Sequence, residues 1–120
     1  MKNLLRSEQA MQLALAIIAL YYQPLHFAWW IWVLLFFAPD LSIAGYSINT
    51  KVGAVLYNLF HHKAVAGLLM VAGFIFHFPV LLLAGLLAWA HSSFDRVMGY
   101  GLKYNDSFQH THLGMIGKDK

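Results

Sequence analysis

His61, His62, His91, His110 and His112, together with Asp40 and Asp95, carry the chemistry that this sequence is able to do. Imidazole nitrogen and carboxylate oxygen form the mixed ligand set that zinc, iron or manganese accepts, and both groups also take up and release protons. In so apolar a chain these groups are costly. An ionised carboxylate at the centre of a membrane helix costs about 2.5–3.5 kcal/mol on the insertion scale. Their presence therefore points to a metal site or a proton-handling site.

The spacings sort these residues into three groups. His91-Ser-Ser-Phe-Asp95 is an i, i+4 pair, which sets imidazole and carboxylate one helical turn apart on one face. The pair can share a metal, Asp95 can accept the ring N–H of His91 and orient it, or the two can form an ordinary polar pair at a helix end. Tyr57-Asn58-Leu59-Phe60-His61-His62 places Asn58 beneath either imidazole. Neighbouring helical residues diverge by about 100°, so only one of the two histidines faces the interior, and His62 is the expected one. His110-Thr-His112 puts both rings on one side if the segment is extended, where it supplies the last ligands of a flap over the site. Asp40 follows a long apolar stretch and is either a ligand or proton partner, or a cap for the segment after it. Asp40 and Asp95 are the carboxylates assigned catalytic proton transfer, and His61, His62, His91, His110, His112, Asp40 and Asp95 are the candidate metal ligands.

The elements that must position these groups are apolar helices. Apolar cores at Ala10–Tyr22, Leu25–Pro39, Ala64–Phe76 and Phe78–Ala90 are separated by turn signals at Gln23–Pro24, around Ser47–Lys51 and at His77–Pro79. Each core is shorter than the roughly 17–25 residues of a spanning helix and must borrow from its flanks. The sequence thus predicts helices over about 3–22, 25–48, 52–77 and 79–100, with Ser7-Glu8-Gln9 suiting a helix start and 101–120 as a polar tail folded back by its aromatic residues. The expected architecture is all-α: a single-domain, up-down four-helix transmembrane bundle whose tail packs on its cytoplasmic end. Small residues at Ala66–Gly67, Gly73, Ala84–Gly85 and Ala88 either permit close packing of the last two helices or are ordinary membrane composition.

Charge sets the orientation. Lys2 and Arg6 precede the first helix, Lys51 and Lys63 lie between the second and third, and Arg96, Lys103, Lys118 and Lys120 come at or after the end of the fourth. The positive-inside tendency places both termini in the cytoplasm, in an inner (cytoplasmic) membrane. Tyr21, Tyr22, Trp29 and Trp30 then form an outer aromatic belt, and Tyr46, Tyr57, Tyr100 and Tyr104 an inner one. His26 and His77 fall at the opposite end from the site.

Composition narrows the function classes. Of 120 residues, 60% are hydrophobic and 11% charged, which is unlike an average soluble domain. There is no cysteine, so disulfides and thiolate-bound zinc, haem or iron–sulfur clusters are excluded. The net charge of +3 comes from scattered basic residues without a stripe, so nucleic acid is not an expected partner. The expected partners are membrane lipid and a lipid-soluble substrate. Asp106–Ser107 suits a turn or cap, and no triad supports a catalytic serine.

The blocks PDLSIAGY, VGAVLYNLFHH, AHSSFDRVMGYGLKY and DSFQHTHLG resemble those of domain-of-unknown-function family 4260 over almost the whole chain. The resemblance implies a short bacterial integral membrane protein and brings no reaction with it. A looser similarity is to membrane-bound metal-dependent hydrolases, which place His and Asp motifs at helix ends. Three functions compete on this reading. The first is a metal-dependent membrane hydrolase or oxidase, although the HxxHH boxes of membrane hydroxylases are lacking. The second is a non-enzymatic binder of haem or metal, or a proton-coupled carrier. The third is a structural polar network.

Overall fold

The computed structural model describes residues 1–104 and 109–116. The chain is all-α, with α1 (Lys2–Tyr22), α2 (Trp29–Phe37), a 3₁₀ segment (Ala38–Ser47), α3 (Thr50–His61), α4 (Lys63–Ile75) and α5 (Pro79–Val97). A two-residue hairpin, β1 (His110–Thr111) and β2 (Gly114–Met115), closes the described tail.

Local chemistry explains where the elements stop. α1 ends at Gln23, whose buried side chain folds onto the next residues and accepts the Leu25 N–H at 2.8 Å. Helix resumes only at Trp29, four residues later than the pattern suggests, because Pro24 and the bonded Gln23 side chain hold this stretch in a turn. α2 gives way to the 3₁₀ segment just before Pro39, which cannot donate an intrahelical hydrogen bond. Within that segment Ser42 and Ser47 donate to the Pro39 and Ala44 carbonyls at 2.8 and 2.7 Å, each three residues back.

The expected helix over 52–77 is two helices. Asn49 caps α3 by accepting the Val52 N–H at 2.8 Å. His62 is extended (φ −84°, ψ 123°), and its Nδ1 accepts the Ala64 N–H at 3.1 Å, so it ends α3 and caps α4. α5 begins with Pro79 at its first position and ends at Val97 instead of Tyr100. Gly99 adopts φ 89°, the Gly99 N–H bonds the Arg96 carbonyl at 3.2 Å and the Tyr100 N–H bonds the Asp95 carbonyl at 2.7 Å. That is a Schellman termination, in which glycine takes the left-handed conformation without a steric penalty. At the amino end, α1 starts at Lys2, and Ser7 lies inside it, donating to the Leu4 carbonyl at 2.6 Å.

α5 is the hub, in contact with α1, α2, α3 and α4. Its buried Leu83, Leu86, Leu87 and Ala90 join Ala16, Ala54, Tyr57 and Ala66 in the apolar core. Close packing of α4 on α5 rests on two glycines. A Cβ at Gly73 would collide with the Leu82 backbone, and one at Gly85 would lie 2.6 Å from the Met70 nitrogen.

The four-span expectation is reduced by this geometry. Among the described residues one helix, Trp29–Ser47, is long and apolar enough to cross a membrane. The pair Thr50–His61 and Lys63–Ile75, bent by 44°, qualifies only when its halves are counted as one span. α1 and α5 do not qualify among the described residues, because the first half of α1 is polar and α5 ends in His91, Ser92, Ser93, Asp95 and Arg96.

Candidate metal centre

Three segments bring four side chains to one point. The 3₁₀ segment supplies Asp40, the end of α3 supplies His61, and the last turns of α5 supply His91 and Asp95. One ligand atom from each lies within 4.8 Å of all the others. His61 Nε2 is 3.3 Å from Asp40 Oδ1 and 3.4 Å from Asp95 Oδ2. His91 Nε2 is 3.1 Å from Asp40 Oδ1 and 3.3 Å from Asp95 Oδ2.

The tautomers follow from the other ring nitrogens. His61 Nδ1–H donates to the Tyr57 carbonyl at 2.8 Å, and His91 Nδ1–H donates to the Phe36 carbonyl at 2.7 Å. A neutral ring with its proton on Nδ1 presents a lone pair at Nε2, and this is how backbone carbonyls orient metal-ligating histidines. Two imidazole lone pairs thus converge with two carboxylate oxygens, a set of four acceptors that requires protons or a cation between them. The four donors are close enough together to hold one ion. Ligands about 2.0–2.1 Å from a tetrahedral ion stand about 3.3 Å from one another. Charge-assisted N–H···O bonds are shorter, about 2.7–2.9 Å.

Burial is uneven. The side chains of His91, His61 and Asp95 are 0%, 4% and 11% exposed, whereas Asp40 is 39% exposed and forms the open side. Phe36 and Phe37 pack on His91, with ring centroids 5.4 and 5.9 Å from its own, and Phe94 packs in turn on Phe36 at 5.6 Å. Tyr57 stacks on His61 at 3.8 Å with planes inclined by 8°, and its hydroxyl donates to Asp95 Oδ2 at 3.3 Å. Ser92 donates to the His61 carbonyl at 2.9 Å and ties α5 to the end of α3.

The structure brings together Asp40, His61, His91 and Asp95 and, among the described residues, leaves His62 and His112 apart. Of the adjacent pair, His61 faces the centre and His62 faces outward, the reverse of the expected choice, because the backbone leaves the helix at His62. Asp40 Oδ1 is directed at His61 and His91. His112 sits in the hairpin turn, and its Nδ1 accepts the Leu102 N–H at 2.8 Å, away from the cluster. The side chain of His110 and residues Asp106 and Ser107 lie outside the described residues. His26 and His77 are absent from the cluster, as expected.

Tyr57 is the residue that sequence reasoning misplaced. Assigned to an interfacial belt, it is buried against the centre, and its position four residues before His61 was the available signal. Asn58 does not support a histidine. Its amide bonds the tail backbone, donating to the Lys103 carbonyl at 2.8 Å and accepting the Lys103 N–H at 2.6 Å. Lys103 is thereby buried with its ammonium 4.4 Å from the Tyr57 ring centroid, so the tail does fold back, over Tyr57.

The fold and centre define a small all-α protein with a largely buried His₂Asp₂ cluster, open at Asp40, at the junction of its helix ends. The family model described as "Domain of unknown function (DUF4260)" matches residues 2–116, and the chain belongs to that family. No curated protein matches the chain, and no solved structure matches it.

Proposed function

We propose that the chain is a membrane-embedded, metal-dependent enzyme that acts on a lipid or lipid-soluble substrate at the cytoplasmic face, with one divalent ion held by Asp40, His61, His91 and Asp95. The observation that carries this reading is the pair of Nδ1–H bonds to the Tyr57 and Phe36 carbonyls, which aims both Nε2 lone pairs at the same two carboxylate oxygens. Zinc, iron and manganese all accept these nitrogen and oxygen donors. Such an ion supplies Lewis acidity and lowers the pKa of bound water, the chemistry of ester or phosphoester hydrolysis. The protein's part is to hold the donors in fixed tautomers and to keep water from the His91 side with the phenylalanine cage. Asp40, on the open side, is placed to exchange a proton with a substrate. Haem fits poorly, since His61 and His91 have ring centroids 4.9 Å apart and converge on the same oxygens, leaving no slot for a porphyrin.

Embedding in the membrane is supported by the outward-facing apolar residues. Leu15, Ile18, Trp29, Leu34, Leu68, Val71, Phe74 and Phe76 are all exposed, on α1, α2, α4 and the turn that follows α4. A soluble monomer rarely leaves so much contiguous apolar surface in water. Basic residues at the cluster end of the helices support a cytoplasmic location for that end. Elemental analysis of detergent-purified, tag-free protein tests the reading. Near-stoichiometric zinc, iron or manganese is expected in the wild type and none in His91→Ala/Asp95→Ala. No metal in either protein after reconstitution would replace the ion with shared protons and make the cluster a structural network.

A further inference from the structure

A second cavity, of about 320 Å³, lies between the start of α1, the end of α5 and the tail. Lys2, Arg6 and Arg96 contribute three permanent cations to its wall, Gln9 and His112 add polar atoms, and no carboxylate is among its described lining residues. Lys2 and Arg6 are four residues apart on α1, so they share one face over successive turns. Their position is electrostatically adverse. The amino end of a helix carries partial positive charge and favours acids, yet the first turn of α1 contains none and its cap residue, Met1, makes no side-chain bond. The two guanidinium groups of Arg6 and Arg96 make the wall of this cavity attractive to an anion.

We propose that this cavity binds a phosphate group, either as the headgroup of an anionic lipid or as the free anion, between Lys2, Arg6 and Arg96. Guanidinium groups match phosphate oxygens in pairs and are less strongly hydrated than ammonium, so two arginines and a lysine suit phosphate better than a carboxylate alone requires. The wall also offers Leu5 and Leu113, and the exposed Leu4, Met11 and Leu15 continue the apolar surface along α1, where acyl chains would lie. Arg96 lines both this cavity and the narrow hollow bounded by Tyr57, His61 and Asp95, so a phosphate held here sits beside the His/Asp centre. Resting on the metal-enzyme reading, this identifies the substrate class as a phosphate-bearing amphiphile.

Calorimetric titration of the full chain in a neutral detergent tests the site with inorganic phosphate, dioctanoyl phosphatidic acid and, as the uncharged control, dioctanoylglycerol. Phosphatidic acid is expected to bind, and Arg6→Gln to weaken it at least about tenfold, as the loss of a charge-assisted hydrogen bond implies. Tighter binding of the lipid than of inorganic phosphate assigns a headgroup, and equal binding assigns the free anion. Unchanged affinity in Arg6→Gln, equal binding of dioctanoylglycerol, or no binding of either phosphate compound would overturn the proposal. Wild-type helicity in Arg6→Gln establishes that the variant is folded. Asp40→Asn, which removes a donor from the other centre, is expected to leave phosphate affinity within about twofold, so the two readings fail separately.

Discussion

The His/Asp centre and the tail that folds against it are neighbours built in opposite ways. At the centre, the functional atoms belong to side chains on three helical segments, and backbone carbonyls of Tyr57 and Phe36 fix each imidazole. In the tail, the roles reverse. Backbone groups of Leu102 and Lys103 are the partners, and side chains of His112 and Asn58 hold them. Helix ends already oriented by packing can pre-organise a ligand set, whereas a short polar segment must be pinned bond by bond. The centre is therefore expected to survive changes that release the tail.

The largest expected effect is at the centre. His91→Ala should lower metal affinity by more than about 100-fold, exceeding the loss usual for a supporting residue, while far-ultraviolet circular dichroism stays helical. Retained metal would remove His91 from the ligand set and the comparison with it. Next is Asn58→Ala, which strips both side-chain partners from the Lys103 backbone. A cost of about 1–3 kcal/mol is expected in a thermal melt, with faster trypsin cleavage at Lys103 and unchanged metal content. Metal lost with the tail would show that the two regions act as one unit.

His62→Ala should cost about 1 kcal/mol through the cap of α4 and leave metal content intact, in contrast to His61→Ala. Equal metal loss in both variants would erase the distinction drawn between the adjacent rings. The smallest effect concerns pH. Burial, and then the positive charge of Arg96, hold His112 below the ordinary histidine range, against a smaller opposing effect of its backbone bond to Leu102. The folded tail therefore binds this proton less readily than the released tail. Its contribution is complete above about pH 6.5 and fades as pH falls from there toward the folded-state value. Hydrogen exchange at the Leu102 amide should accelerate over that interval in the wild type and stay flat in His112→Gln.

Much of the centre was legible from spacing. The His91–Asp95 pair needs only an α-helix to converge, and α5 provides it. Asp40 was recognisable as a carboxylate in need of a partner, but capping and ligation differ only in what lies across from it, and what lies there are His61 and His91. The helix ends were harder. Pro79 marks the start of α5 plainly, whereas the break at His62 has no proline or glycine to announce it and depends on an imidazole serving as a cap.

The sequence by itself determined the all-α class, the turns at Gln23–Pro24, around Ser47–Lys51 and at His77–Pro79, the i, i+4 pair and the chemical inventory of imidazole and carboxylate. These follow from local periodicity and residue type. Only the tertiary structure decided that His61, not His62, enters the centre, that Tyr57 stacks beneath it and that Asn58 serves the tail. Each depends on where one backbone leaves its helix, and a change of one residue there rotates a side chain by about 100°.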